Sequence, residues 1–220
     1  FANAMTKLVD KKYRNKYTDK KLNKMMYSCS TFMLYIGLDK LYEDIYHHNI
    51  FFANDYKKNV ADIVANSIIP EDPSFYLHNP SVIDKNLAPE GHSSIYILVP
   101  IGNTTGGIDW NKHKEAYKEK IIGMLETKSK MTDIRSHIKE IKIFTPDDWQ
   151  NEMDVFNGAT FNLGHNLGQM LYFRPHNEFE EFDNCYLVGG GTHPGSGLPT
   201  IYESGRISSN LILKKEGMSF

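Results

Sequence analysis

Apolar and polar positions alternate along the chain in blocks that predict short strands joined by turns. The segment 27–38 is the most apolar of them, and it is bounded by Gly37 and Asp39, which indicates a mostly buried strand. Shorter apolar segments predict further strands at 50–52, 75–78, 94–99 and 141–144. A sheet of several strands is therefore expected in the middle of the chain.

Helical spacing of apolar residues predicts helices between these strands. One covers 57–66, and another begins after Asp109, which can cap its first turn. The apolar face of the second helix should lie on the sheet and consists of Trp110, Tyr117, Ile121 and Leu125. A short helix is expected after Thr145, because Pro146 and two acids match the preferences of a helix N-terminus.

Near its C-terminal end the chain has an apolar segment, a glycine-rich loop and a helical segment in succession. Residues 184–188 predict a short strand, and the sequence GGGTHPGSG follows at 189–197. Its glycines let the backbone adopt positive φ and approach a ligand without a Cβ in the way. Pro199 then fits the first turn of a helix. The face of this helix expected to pack on a sheet consists of Ile201, Gly205, Ser208 and Ile212.

The start of that helix is a candidate binding site. Free amides and the positive end of the helix dipole favour a phosphate, a carboxylate or an anionic reduced flavin ring. A strand, a glycine loop and a helix can also form an ordinary tight crossover, so this pattern alone leaves both interpretations open.

Three better-known glycine motifs do not fit the loop. A nucleophile elbow centred on Ser196 needs glycines at two positions where the chain has Pro194 and Leu198. A phosphate-binding P-loop needs Lys after its last glycine, but Leu198 follows Gly197. The dinucleotide fingerprint is only partial at 195–200, and no acid follows about 20 residues later.

Composition and charge exclude several classes of function. A net charge of -2 and a pI near 6.5 provide no basic field, so no nucleic-acid partner is expected. Cys29 and Cys185 form no CxxC pair, which argues against a cysteine zinc site and a disulfide framework and indicates a reducing cytoplasm. No stretch approaches the roughly 18 apolar residues of a membrane-spanning helix.

No metal is expected from the histidines. The nine histidines show no ligand spacing. His47 and His48 are adjacent, and neighbouring side chains on a strand point to opposite faces, so these two are predicted not to share an ion.

The string YLVGGGTHPGSGLP at 186–199, with Ser204 and Gly205 after it, closely resembles the C-terminal signature of bacterial-type phytoene desaturases. Other segments resemble the same family in order, especially its branch that makes thirty-carbon diapocarotenoids. These segments are 27–30 with 35–37, 88–91 with 96–98, 143–146, 158–161 and 172–175. The family's N-terminal dinucleotide fingerprint is absent, so the chain is interpreted as the C-terminal half of such an enzyme.

This resemblance implies an α/β fold. The chain would be the C-terminal half of a glutathione-reductase-type FAD-binding fold, with an inserted substrate domain built on a mixed β-sheet. Residues 1–24 would be the end of an FAD-domain segment and a linker, and residues 25–150 the substrate-binding domain. Residues 151–220 would return to the FAD-binding domain, with the flavin-contacting loop and the last helix.

The resemblance also implies a cofactor, FAD, and roles for individual residues. The expected flavin contacts are Gly189, Gly190, Thr192, His193, Gly195, Gly197, Leu198 and Pro199. His193 is also the candidate catalytic acid–base group, with a structural hydrogen bond as the alternative. The expected lining of a channel for a long apolar polyene is Phe156, Phe161, Met170, Tyr172, Phe173 and Arg174. Core packing is the alternative for the aromatic residues, and loop stabilisation is the alternative for Arg174.

The implied function is FAD-dependent desaturation of a C30 or C40 carotenoid precursor such as diapophytoene or phytoene. One alternative is another flavin-dependent carotenoid or retinoid reaction, such as isomerisation, oxygenation or saturation. The other is a non-catalytic fragment that binds lipid or carotenoid. Because the substrate is apolar, its channel is expected to open toward a membrane, and the protein to lie peripherally on the inner face of the cell membrane.

Overall fold

The computed structural model describes residues 1–65 and 67–218. Its helices are α1 (Ala2–Leu8), α2 (Asp19–Lys24), α3 (Tyr56–Val64), α4 (Trp110–Lys128), α5 (Ile134–His137), α6 (Pro146–Asn151) and α7 (Leu198–Lys215). Its strands are β1 (Ser30–Leu38), β2 (His48–Phe51), β3 (Phe75–His78), β4 (Ser93–Ile101) and β5 (Ile138–Phe144). The predicted end of the α3 helix at Asn66 lies outside the described residues.

The chain divides into two compact units. The terminal unit comprises Phe1–Cys29 with Met153–Phe220, and the central unit comprises Ser30–Glu152. The domain boundaries predicted after residues 24 and 150 lie close to these divisions. The roles assigned to the domains stay predictions.

The central unit is built on one five-stranded sheet in the order β2-β3-β4-β1-β5. All four strand pairings are antiparallel, so the expectation of a mixed sheet is wrong for the described residues. Each of the five predicted strands of this region is present, with boundaries that differ by at most a few residues. The pattern of apolar segments located the strands but carried no information on their relative directions.

One face of the sheet carries the core of the central unit. Alternate residues of β1 and β4 are fully buried there, as the period of two in a strand requires. Helix α4 covers this face, and the ring centroids of Phe32 and Trp110 lie 5.2 Å apart. The predicted apolar face of α4 is confirmed, since all four of its residues are buried: Trp110, Tyr117, Ile121 and Leu125.

The opposite face of the sheet carries a row of aromatic rings across four strands. Tyr35 of β1 pairs with Tyr96 of β4, Tyr96 pairs with His78 of β3, and His78 pairs with His48 of β2. The rings of Tyr96 and His78 are 4.8 Å apart, and those of His48 and His78 are stacked at 5.1 Å. We call this set of four residues the aromatic row.

His47 does not point away from His48, contrary to the prediction from strand alternation. Strand β2 begins at His48, so His47 lies outside the regular pleat and the alternation rule does not apply to it. His47 Nδ1 lies 2.8 Å from His48 Nε2, and His47 Nε2 lies 3.0 Å from His78 Nε2. The structure therefore gathers three histidines that the sequence pattern separates.

The terminal unit packs helices and irregular loops around a small aromatic core. Tyr17 contacts Phe1 edge-on and stacks on Phe179, and Leu22 of α2 is fully buried beside them. The predicted strand at 184–188 is wrong: the segment makes only an isolated bridge between Glu178 and Tyr186. None of the helices in the described part of the chain has the length and apolarity needed to cross a bilayer.

Helix α7 is present where the sequence predicted it, and its predicted packing face is confirmed at Ser208 but not at the two isoleucines. Ser204 and Ser208 are its buried residues, whereas Ile201 and Ile212 remain largely exposed. The helix packs on loops rather than on a sheet, and loops present carbonyl and amide groups that hydroxyls can satisfy. Small polar residues therefore take the position that aliphatic residues would occupy against a sheet.

Candidate functional site

The glycine loop at 189–197 leads directly into α7. Gly189, Gly195 and Gly197 have positive φ values of 105°, 148° and 111°, conformations that side chains with a Cβ rarely adopt. Gly197 is the residue before the first turn of α7, and no side chain caps that turn. The amides at the head of α7 are therefore not occupied by a capping side chain, and Leu198 and Pro199 beside them are exposed.

Arg174 fixes one side of this loop. Its side chain is 1% exposed, and its guanidinium donates two hydrogen bonds to Gly190 O, from Nε at 3.2 Å and from Nη2 at 2.8 Å. Further bonds go to the carbonyl oxygens of Leu163, Gly164 and Gln169 at 2.9–3.2 Å. Burial lowers the pKa of Arg174, yet a guanidinium stays protonated in proteins. The carbonyl dipoles replace the water that this charge has lost.

Thr192 and His193 hold the middle of the loop against the chain at 171–175. The Thr192 hydroxyl donates to Pro175 O, and the His193 amide donates to the same oxygen at 2.9 Å. His193 Nδ1 lies 3.0 Å from Leu171 O. Because a carbonyl oxygen only accepts, Nδ1 carries the proton, and Nε2 is the acceptor nitrogen of the neutral ring.

The buried amide of Asn177 joins the loop to α7. Its Nδ2 contacts Leu187 O, His193 O and Ser204 O at 3.0–3.3 Å, and Ser208 Oγ at 3.4 Å. Ser204 Oγ also accepts a hydrogen bond of 2.8 Å from the amide of Gly189. The loop and the helix are thus positioned by buried polar contacts.

A cavity of about 980 Å³ opens beside His193 within the terminal unit. A cavity of this size could accept a ring system or a segment of a long molecule. Its wall combines apolar rings with the acidic segment before the loop, and it includes Leu171, Tyr172, His176, Phe179, Glu180, Phe182, His193, Leu211 and Lys215.

The structure brings together only some of the residues predicted to line a channel. Tyr172 lines the large cavity with His193, and the ring of Phe173 meets that of Tyr172 edge-on at 5.9 Å. Phe156 lies elsewhere, packed on Tyr27 and lining a separate cavity of about 180 Å³. Phe161 is exposed and Met170 is half-buried.

Arg174 does not contribute to an open channel wall, because its guanidinium is enclosed by loop carbonyls. The loop-stabilising alternative describes its position. The guanidinium of Arg174 donates to carbonyl oxygens of the protein and is therefore not free to contact a substrate.

His165 forms a second polar contact on the glycine loop. Its Nε2 lies 3.0 Å from Ser196 Oγ. Burial lowers the pKa of His165, and the positive charge of Arg174 lowers it further. The neutral form of the ring is therefore favoured more than in a free histidine.

Sequence reasoning assigned no supporting role to the residues that hold the loop in place, namely Asn177, Ser204, His165 and Gly191. Asn177 and His165 lie in irregular segments, where no periodic pattern marks a side chain that contacts the loop. Gly191 was visible only as one glycine among several, yet a Cβ there would lie 2.5 Å from Phe1 Cβ and 2.7 Å from Asn162 Oδ1. Close packing of this kind is a tertiary property.

The positive-φ loop and the uncapped helix lie side by side in the terminal unit. Comparison with curated proteins identifies the family. The chain is 52% identical over 220 residues to a 4,4'-diapophytoene desaturase (4,4'-diapolycopene-forming) of Methylomonas sp, covering 100% of this chain and 43% of that protein. It is 42% identical over 204 residues to an all-trans-zeta-carotene desaturase of Myxococcus xanthus, covering 92% of this chain and 38% of that protein.

A phytoene desaturase (neurosporene-forming) of Rhodobacter capsulatus is 36% identical over 211 residues, which cover 94% of this chain and 40% of that protein. The chain belongs to the family of diapophytoene, zeta-carotene and phytoene desaturases. It spans about two fifths of the length of these relatives. No protein-family model matches the chain.

Proposed function

We propose that the full-length protein is an FAD-dependent desaturase of a C30 or C40 carotenoid precursor such as diapophytoene or phytoene. The observation that carries the proposal is the glycine loop, whose positive-φ backbone leads into the uncapped, exposed head of α7. The names of the relatives supply the substrate class. In this proposal the terminal unit is part of a glutathione-reductase-type FAD-binding fold, and the central unit is the substrate domain.

The residues of the loop fit a flavin. A Cβ added at Gly189 would meet no atom within 4 Å, so the backbone there borders open space. The positive pole of α7 and the amides of its first turn favour negative charge on a ring placed there. Gly189, Gly190, Thr192, Gly195 and Gly197 would contact the ring through main-chain atoms, since the Thr192 hydroxyl is turned inward to Pro175 O. The amides of Gly189 and Thr192 already donate to Ser204 Oγ and Gly189 O, so these two residues would contribute packing rather than hydrogen bonds.

When bound, the flavin would accept a hydride from a saturated carbon of the substrate. The chain's own contribution is to orient the ring through the loop and to exclude water with apolar side chains such as Tyr172 and Phe173. His193 would accept the proton released from the substrate at Nε2, because its Nδ1 donates to Leu171 O. Tyr172 and His193 border the same cavity, which is the candidate for one end of the polyene channel.

Membrane contact is proposed for helix α3. This helix buries Ile63 but exposes Tyr56, Val60 and Val64, which recur at intervals of four residues and so form one stripe. Phe52 is also exposed, and its ring meets Tyr56 edge-on at 5.9 Å. Exposed apolar surface of this kind marks interaction sites, and an apolar carotenoid precursor would partition into a bilayer.

The test of the desaturase proposal uses the full-length protein. The purified protein should show flavin absorbance, and incubation with diapophytoene and phytoene should yield products with longer conjugation, separated by chromatography. A folded protein that carries no flavin contradicts the proposal. A flavoprotein that rearranges or oxygenates the substrates without adding double bonds would instead indicate another reaction of the superfamily.

A further inference from the structure

His47, His48 and His78 form a compact group of imidazoles at the edge of the central sheet, far in sequence from the glycine loop. One ring nitrogen from each of the three lies within 4.8 Å of the others. Two nitrogen pairs are closer: His47 Nδ1 lies 2.8 Å from His48 Nε2, and His47 Nε2 lies 3.0 Å from His78 Nε2. These pairs use different nitrogens of His47, so that ring has to turn one nitrogen toward a shared ion. Bonds of about 2.0–2.1 Å to a tetrahedral ion place ligand nitrogens about 3.4 Å apart, a spacing that rotation of the three side chains would give.

The backbone holds the three residues in place before any ligand binds. His48 and His78 face each other directly in the β2–β3 ladder. His47 is fixed by its carbonyl oxygen, which accepts a hydrogen bond of 2.9 Å from the amide of Asn79. The buried Asn79 side chain also donates to Tyr42 O and Ile45 O, which anchors the segment before β2. Sites on such a rigid scaffold bind without a large ordering cost.

Tyr76 forms a hydrogen bond with His48 that can orient this imidazole for metal binding. Its hydroxyl lies 2.6 Å from His48 Nδ1. If Nδ1 donates its proton to Tyr76, Nε2 of His48 is left with a free lone pair on the side of His47 and His78. A ligand histidine commonly donates its other N–H to a polar neighbour in this way.

One polar atom of the group lacks a partner. His78 Nδ1 is buried and has no hydrogen-bond partner among the described residues. Three neutral imidazoles can form an N–H···N chain, but that chain leaves this nitrogen unsatisfied. Rotation of the His78 ring would allow either nitrogen to serve a shared ion.

We propose that His47, His48 and His78 bind one divalent transition-metal ion, of which Zn²⁺ is the expected species, with a fourth position open to water. Imidazole ligands without carboxylates select Zn²⁺, Cu²⁺ or Ni²⁺ over Mg²⁺ and Ca²⁺. The ion links the segment before β2 to the end of β3. It therefore stabilises the attachment of the edge strand β2 to the sheet. This site is independent of the proposed desaturase function, since binding can be measured without substrate or flavin.

The test is calorimetric titration of ZnCl₂ into the untagged 220-residue chain after treatment with a chelator. One ion per chain should bind, and saturation at a hundred times the Kd should raise the Tm by roughly 5–10 °C. His48→Ala and His78→Ala should each weaken binding by more than about 100-fold, because loss of an outer contact alone costs 10–100-fold. Tyr76→Phe should weaken it by about 10-fold.

His113→Ala is the matched control, because His113 is exposed on α4 of the same unit. Its affinity for Zn²⁺ should equal that of the wild type. Co²⁺ gives a second readout, since visible absorption of the bound ion should appear in the wild type and vanish in His48→Ala, whose side chain is exposed and whose loss the fold tolerates. If the wild type binds no Zn²⁺, or if His48→Ala and His78→Ala bind as tightly as the wild type, the proposal is wrong.

Discussion

Arg174 and Gly190 are joined by two hydrogen bonds from one guanidinium to one carbonyl oxygen. The same side chain binds three further carbonyl oxygens of the segment 163–169. A single buried charge therefore fixes the start of the glycine loop relative to a segment about 20 residues earlier in the chain.

Replacing Arg174 by Met should destabilise the terminal unit by about 3–5 kcal/mol, because several enclosed carbonyl oxygens would lose their donor at about 1–3 kcal/mol each before relaxation. Arg174→Lys should recover only part of the loss, since an ammonium cannot reach all four oxygens. Urea unfolding followed by circular dichroism measures the effect. Trp110 and Trp149 both lie in the central unit, so their fluorescence supplies an internal control. A change below about 1 kcal/mol contradicts this account.

Gly191→Ala tests the close packing of the loop. The new Cβ would lie 2.5 Å from Phe1 Cβ and 2.7 Å from Asn162 Oδ1, so overpacking should cost about 1–3 kcal/mol. Gly205→Ala is the control within the same unit: a Cβ there meets nothing within 4 Å, and Ala should stabilise α7 by up to about 1 kcal/mol. In chemical denaturation, the free energy of unfolding should fall in Gly191→Ala and rise in Gly205→Ala. A change of the same sign in both variants would contradict the packing described for the loop.

His165 should make stability depend on pH. Burial, and then Arg174, lower its pKa below the usual 6.5 in the folded state. The unfolded chain then binds protons more readily than the folded one, so this contribution to stability is lost as the pH falls below about 7. In His165→Gln the contribution is absent. As the pH falls from about 8 to about 5, the free energy of unfolding of this variant should rise relative to that of the wild type. A difference that stays constant over this range would contradict the lowered pKa of His165.

His193→Asn should separate proton transfer from loop structure. The Asn amide nitrogen takes the position of Nδ1 and can still donate to Leu171 O, but Asn has no group at the position of Nε2 to accept a proton. Under the proposed function, kcat of the full-length enzyme should fall by about 10²-fold or more while flavin content is unchanged. Steady-state kinetics and the flavin spectrum provide the two readouts. Unchanged kcat would assign His193 to the structural alternative.

Val60→Glu combined with Val64→Glu should reduce co-sedimentation of the protein with phospholipid vesicles, since charge on the exposed stripe of α3 opposes its insertion at the interface. His113→Glu on α4 changes charge at an exposed position away from this stripe and is the control. Equal loss in His113→Glu would attribute the effect to net charge, and undiminished binding of the double variant would exclude α3 as the contact.

Regular elements of the central unit could be predicted from sequence because they follow simple periods. The buried face of α4 repeats at helical spacing, and Phe75–His78 alternates as a half-buried strand. Thr145 and Asp148 form the reciprocal cap that the Thr-Pro-Asp-Asp sequence indicated before α6. In each case local chemistry and tertiary burial agree.

The terminal unit could be predicted less well because loops, rather than a sheet, surround α7. The glycine loop was located from composition, but its supports are buried polar side chains such as Asn177 and Ser204, which no periodicity reveals. The apolar segment at 184–188 was misassigned because a strand needs a continuous ladder, and this segment forms a single bridge, at Tyr186. The histidine group was missed because a strand boundary falls between His47 and His48.

The amide nitrogen of Asn177 has two hydrogens but four oxygens within reach. No more than two of those oxygens receive a well-directed hydrogen at any instant, so the remaining ones compete for it. Small sliding of α7 along the loop can therefore be accommodated by exchanging one acceptor for another. The contact therefore tolerates a small displacement of the helix without losing all of its hydrogen bonds.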